Sequence, residues 1–229
     1  MKLNRLTERI WVYPYEEERD RPNLCYIRGD KYGIAVDAGH SDGHARVFYG
    51  ALEEAGLPLP ELTVLTHWHW DHTLGMHAVH GRTVANRRTG EHLAALRERI
   101  AAPGGREQHL ALHESIRREY AGGKPLIAVL PDIVFSDELL LDAGNCPVRL
   151  IRTDAPHTDD STLVLAESDK VLFIGDAACG SFPDWVKAPD KAEKLAEAIG
   201  KAGAEICLEG HWTPLSTEET VRDLLEGEG

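Results

Sequence analysis

Six consecutive positions, His67-Trp68-His69-Trp70-Asp71-His72, hold three imidazoles and a carboxylate. Side chains of these types, so spaced, can bind divalent ions that catalyse hydrolysis. His67 and His69 are two apart, so in an extended segment both rings point to one face and can reach one ion. Asp71 and His72 follow as the chain turns into the first turn of a helix. Their side chains diverge from the first pair, which suits a second ion close by. Histidines of a plain solvated turn seldom crowd beside an apolar strand without a ligand to share.

Three more residues extend the set. His157 lies in Ala155-Pro156-His157-Thr158-Asp159-Asp160-Ser161, Asp176 ends an apolar run, and His211 follows Gly210. Each sits where a β-prone run gives way to a loop. Strand ends along one sheet edge converge in space, and active sites are commonly built there.

The positioning elements can be read from pattern. Short β-prone runs cover Arg9–Tyr13, Asn23–Arg28 and Gly33–Val36,. A helix is expected over Asp42–Ala55, capped by Asp42 and ended by Gly56. Leu62–Thr66 reads as a strand feeding the histidine run, and Arg82–Ala85 as another. Thr89–Ile100 and Glu107–Tyr120 read as helices split by Pro103-Gly104-Gly105. Strands are expected again at Ile133–Ser136, Val148–Thr153, Thr162–Ala166, Val171–Ile174 and Ile206–Leu208. Helices are expected at Asp190–Ala202 and Thr217–Glu226. Both halves carry an apolar strand followed by an Asp-Ala pair, at 37–38 and 176–177, a weak hint of internal duplication.

The chain has 229 residues, 42% hydrophobic and 28% charged, which is the ordinary make-up of one globular domain,. We therefore expect a single domain over 1–229, with a mostly helical insertion at about 86–123. The formal charge of −13 repels phosphate backbones and anionic lipid, which argues against nucleic acid and membrane partners,. Cys25, Cys146, Cys179 and Cys207 form no CxxC, which excludes a zinc ribbon or a thioredoxin-like motif,. No run has the length of a signal peptide or a membrane span, so the expected location is cytoplasmic.

Taken together, His67-x-His69-x-Asp71-His72, His157, Asp176 and His211 resemble the signature of the metallo-β-lactamase superfamily. Asp37, in Ile34-Ala35-Val36-Asp37-Ala38-Gly39, is similar to the family's first motif. The resemblance spans about residues 23 to 212. It implies an α/β fold, a four-layer αβ/βα sandwich with a metal site at one edge of the sheets. It also implies two ions: one held by His67, His69 and His157, the other by Asp71, His72 and His211, with Asp176 bridging. Asp71 would be the catalytic residue, and Asp37 would steady a ligand from behind. Two neighbouring ions lower the pKa of a bound water from about 15.7 toward 7, supplying hydroxide for attack on an acyl carbon. Zinc suits these donors best, with iron or manganese as alternatives. The flavo-diiron branch has Glu where this chain has His69, which argues against redox chemistry.

Departures from named branches narrow the substrate. β-Lactamases of this fold generally lack a bridging aspartate at the position of Asp176. Glyoxalase II enzymes carry a longer C-terminal extension, whereas 18 residues follow His211 here. Acyl-homoserine-lactone lactonases have tyrosine where Cys179 stands. The ribonuclease Z-like branch needs an RNA-gripping arm and a basic surface. The expected activity is hydrolysis of a small ester, thioester, lactone or similar acyl compound. The alternatives are a phosphodiesterase-type hydrolase, or a non-catalytic metal-binding, redox or signalling protein on the same fold. Trp70 and Cys179 are expected near the substrate, with Trp68 packed beneath the site. His109 and His113, four apart on one expected helix, read as surface or lid residues. The other three cysteines read as core, and His40, His44, His77, His80 and His92 receive no role.

Overall fold

A computed structural model describes residues 2–226. The first half of the chain builds a seven-stranded sheet. Its strands are β1 (Asn4–Arg5), β2 (Ile10–Tyr13), β3 (Leu24–Arg28), β4 (Gly33–Val36), β5 (Leu62–Val64), β6 (Arg82–Asn86) and β7 (Ile133–Phe135), in that spatial order. Pairing is antiparallel from β1 to β4 and parallel from β4 to β7. The parallel pairs need crossovers, and helices supply the longer of them. These are α1 (Asp42–Glu54), the short α2 (Trp70–Thr73), α3 (Arg87–Ala101), α4 (Gly105–Leu110) and α5 (Glu114–Glu119).

The second sheet has six strands. They are β8 (Glu138–Asp142), β9 (Pro147–Arg152), β10 (Thr162–Ala166), β11 (Val171–Gly175), β12 (Ile206–Glu209) and β13 (Leu215–Ser216). Only β11 and β12 run parallel, joined through α6 (Pro189–Ala202). Helix α7 (Thr217–Glu226) follows β13.

Side-chain alternation explains the layers. Cys25 and Ile27 of β3 point inward and meet Leu150, Val164 and Phe173 of the facing sheet in one buried cluster. Their neighbours Leu24 and Tyr26 point outward onto Phe48 and Leu52 of α1. Farther along that outer face, Ala85 of β6 meets Leu93 and Leu96 of α3 and Ile116 of α5. On the second sheet, Leu163, Leu172 and Ile174 pack outward against Leu195 and Ile199 of α6 and Leu224 of α7. The molecule is thus α/β, two mixed sheets face to face with helices on both outer surfaces. Strands β10 and β11 are buried on both faces and read as unbroken apolar runs,.

Several expectations need correction. Ser41, rather than Asp42, caps α1: its side chain accepts from His44 N. The expected helix Glu107–Tyr120 is two short helices, because His113 leaves the helical conformation and caps α5 by accepting from Ser115 N. His109 and His113 therefore do not share a helix. Strands β1, β8 and β13 had no signal in the pattern. In β8 the run Leu139-Leu140-Leu141 breaks the alternation, and Leu140 is half exposed on an edge strand.

Candidate metal centre

The site begins at the end of β4. Asp37 sits there with φ 64°, a left-handed conformation that aspartate tolerates better than most residues,. Its carboxylate accepts from Thr66 N at 2.8 Å and from Thr66 Oγ1 at 3.0 and 2.9 Å. Two neighbouring parallel strands are thereby tied together where the chain leaves β5. His67 and His69 follow in a segment outside any strand or helix, and His69 stands at the N-terminal boundary of α2 with φ −60° and ψ 155°. Thr73 Oγ1 donates to His69 O at 2.8 Å and closes that turn. Asp71 and His72 then lie within α2. His157 follows β9, Asp176 follows β11, and His211 follows β12, so each arrives from a strand end of the second sheet. Gly210 N donates to Gly175 O at 2.9 Å, which draws the last two of these loops together. Asn23 clamps the same place, donating from Nδ2 to Glu209 O and Trp212 O, each at 2.8 Å.

All seven of these side chains converge. His67, His69 and His157 form one group, and Asp71, His72, Asp176 and His211 a second. Within each, the nearest donor atoms lie within 4.8 Å of one another. His157 Nε2 faces His69 Nδ1 at 2.8 Å. Asp71 Oδ2 lies 3.0 Å from His211 Nε2 and 3.2 Å from His72 Nε2. Asp176 spans the two groups: Oδ1 is 3.4 Å from His72 Nε2, and Oδ2 is 3.8 Å from His157 Nε2.

The supporting contacts select which ring nitrogen stays available. His72 Nδ1 donates to Asp37 Oδ2 at 2.8 Å, and His157 Nδ1 donates to Gly180 O at 2.7 Å. With Nδ1 so engaged, Nε2 is the nitrogen of each ring that faces the centre,. His67 Nε2, His72 Nε2 and Asp176 Oδ1 are buried and make no hydrogen bond. Buried polar atoms are rarely left without a partner, and three at one focus match donors awaiting a cation. Divalent ions therefore fit this donor set.

Charge follows the same division. Burial, followed by neighbouring imidazoles, pushes His67 well below its ordinary value and takes His69 to about 3. Neutral imidazole is the ligand form. In the second group burial opposes every charge but is outweighed. Carboxylates hold His72 well above its usual range and His211 up to about 9, while Asp71 and Asp176 are held well below theirs. Two ionised carboxylates in a buried pocket require positive charge beside them.

The centre opens into a cavity of about 380 Å³. His69, Asp71, His157, Asp176 and His211 form its floor, and Trp70 and Cys179 lie in its walls. Burial raises the Cys179 thiol far above its usual value, so it stays protonated and inert,. Trp68 packs against the cluster beneath α3 and stacks on His92. His113 lines the cavity, whereas His109 is buried beside Trp70. Sequence reasoning missed Tyr15, Glu17, Asp20, Phe182, Trp185 and Trp212, which complete the lining. All six belong to loops or to a single 3-10 turn, where no periodicity marks a residue's direction. In a third group, His92, Asp159 and Asp160, both Arg88 and His92 contact Asp159.

With two facing sheets, outer helices and this donor set at the strand ends, the chain belongs to the metallo-beta-lactamase superfamily, whose profile matches residues 19–211. Among curated relatives it is similar to acyl-coenzyme A thioesterase MBLAC2 of Gallus gallus, 25% identical over 241 residues, covering 93% of this chain and 80% of that protein. The Homo sapiens protein of the same name is 23% identical, with 93% and 81% covered. Among solved structures, a metallo-beta-lactamase from Pontibacter korlensis aligns with TM-score 0.67 at 16% identity, covering 98% of each chain. A metallo-beta-lactamase family protein from Thermus thermophilus aligns with TM-score 0.65 at 18% identity, covering 98% of this chain and 80% of that one.

Proposed function

We propose that this chain is a dinuclear metal-dependent hydrolase of small acyl compounds, an ester, thioester or lactone. One observation carries the reading: seven buried or nearly buried donors gather in two adjoining groups with Asp176 between them, and five of the seven form the floor of an open cavity. His67, His69 and His157 would hold one ion; Asp71, His72 and His211 the other; Asp176 would touch both. Zinc suits this mixture of imidazole and carboxylate best, with iron or manganese as substitutes. When bound, the ions supply Lewis acidity, which acidifies a water and stabilises negative charge developing on the acyl oxygen.

The protein's own residues do the rest. Asp37 and the Gly180 carbonyl hold the His72 and His157 rings in the tautomer that presents Nε2,. Asp71, which lines the cavity beside Asp176, is the catalytic residue: a carboxylate oxygen orients the attacking water and takes its proton,. Trp70 and Phe182, with ring centroids 4.8 Å apart, form an apolar wall that limits water near the acyl group,.

Residues 1–229 act in this reading as a single domain, and the mostly helical stretch at about 86–123 contributes His113 to the cavity. The partner is a small molecule. A surface of charge −13 disfavours nucleic acid and anionic membrane, and no helix among the described residues is long and apolar enough to cross a membrane,. Four buried free thiols suit a reducing compartment, and we place the protein in the cytoplasm,. The thioesterase relatives put thioesters among the first substrates to try.

Metal analysis of the purified protein is expected to give close to two ions per chain. Turnover is expected on at least one of a p-nitrophenyl ester, a thioester and a lactone. Fewer than one ion per chain, or no turnover of any of the three with metal supplied, would sink the reading. Asp176→Ala should lose one ion and most of the activity; an unchanged metal content would remove Asp176 from its bridging role.

A further inference from the structure

The cavity above the metal centre has an unusual wall. Trp185 and Trp212 stand at its mouth, 56% and 49% exposed. Large indoles left in solvent beside a cavity mark a binding surface more often than a packing residue. Trp185 is stacked on His157, with centroids 6.1 Å apart, and is edge-on to Phe182 at 6.0 Å, so its plane is set by the site. Tyr15 adds a third ring.

The charge in this wall has one sign. Outside the metal donors, Glu17 and Asp20 line it, and no Lys or Arg does among the described residues. Cations close by in sequence are already committed: Arg19 pairs with Glu16 at 2.9 Å, and Arg21 with Glu119 at 2.6 Å. Asp20 accepts from Ser115 Oγ at 2.8 Å and lies 3.8 Å from His113 Nδ1. Glu17 forms no ion pair among the described residues. The neighbouring cavity, which shares Cys179, carries one charge of each sign, Lys187 and Glu193. Trp70 lines the main cavity, is 6% exposed, and its buried Nε1–H has no acceptor within the protein,.

Electron-rich ring faces together with carboxylates recognise ammonium groups. Multiply charged phosphates are instead held by Arg, Lys or helix N-termini, and the field of a −13 chain repels them further,. We infer that the mouth is a cation subsite: the substrate carries an ammonium group on the portion projecting from the metal centre, held between Trp185, Trp212 and the carboxylates of Glu17 and Asp20. Coenzyme A esters, whose leaving group bears several phosphate charges, are rejected. The inference rests on the acyl-hydrolase reading and assigns its substrate class, away from the coenzyme A thioesters named for the relatives.

One acyl group on three thiols tests it. S-butyrylthiocholine is cationic, S-butyryl-N-acetylcysteamine neutral, and butyryl-coenzyme A anionic, and each releases a thiol that is read directly. For the metal-loaded protein, kcat/KM should fall in that order, the cationic ester exceeding the neutral one by about tenfold. Glu17→Gln, at an exposed position, should lower the cationic-to-neutral ratio by about fivefold. Binding is measured separately from tryptophan fluorescence, with choline against its neutral isostere 3,3-dimethylbutan-1-ol. Choline should bind about tenfold tighter. Equal binding of choline and the isostere, or a coenzyme A ester turned over as well as the thiocholine ester, overturns the inference. If none of the three esters is hydrolysed, the hydrolase reading fails for thioesters, and the choline comparison alone decides the subsite.

Discussion

Gly210 shows how tightly the donors are set. A β-carbon there would collide with Asp176 Oδ1 and crowd the His72 ring, so the position must carry no side chain. Its backbone is ordinary, since φ is not positive, and the effect of a substitution is therefore steric. Gly210→Ala keeps every donor yet should weaken metal affinity by about 10–100-fold, the range seen when groups supporting a metal site are disturbed. Competition with a chelating dye measures this, and wild-type affinity in the variant would mean that Asp176 takes no part in binding. At this scale much was legible. A donor's chemistry is a property of its residue type, and the spacing of His67, His69, Asp71 and His72 is local. Gly210 was not legible as a constraint, because the atoms it must avoid come from residues 34 and 138 positions earlier in the chain.

Among the elements, α5 is held by chemistry rather than by propensity. Six residues make a marginal helix alone,. Ile116 anchors it in the outer cluster, and Glu119 at its end reaches Arg21 at 2.6 Å and accepts from Ser41, both largely buried. Burial raises the Glu119 carboxyl, but the hydrogen bonds from Arg21 and Ser41 outweigh it, and the net shift is downward. A depressed folded-state pKa contributes stability that is fully present above the unfolded value of 4.5 and is lost as pH falls through the folded value,. Glu119→Gln should therefore flatten the acid limb of the stability curve below that value. Glu119→Ala, which strands the buried Arg21 charge, should cost about 3–5 kcal/mol by denaturant midpoint. A cost under about 1 kcal/mol, as for an exposed pair, would contradict the buried assignment. Strands with two-residue alternation or continuous apolar runs were readable, including those that carry the donors. The break at His113 was not, because it depends on a cap that only the folded loop supplies.

Across the whole molecule, the proposed metal centre joins the two sheets. Its donors come from α2 and the segment that leads from β5 into it on one side, and from beyond the ends of β9, β11 and β12 on the other. Ions bound there stabilise only the folded chain, by about 2.7 kcal/mol when free metal is a hundredfold above Kd. For a chain of this size that raises Tm by about 5–11 °C. Removal of metal with a chelator should lower Tm by that amount and abolish turnover, and zinc should restore both. A Tm unchanged by metal would contradict a site shared between the sheets.

The sequence by itself determined which donors exist, which of them are local neighbours, and where most of the strands run. These follow from residue type and short-range geometry. Only the tertiary structure decided that His157, Asp176 and His211 meet the HWHWDH run, because that requires two sheets to align the ends of strands distant in sequence. Only the fold, too, assembled a mouth of Tyr15, Glu17, Asp20, Trp185 and Trp212. Loop side chains have no period, and packing of the elements beneath them sets where they point.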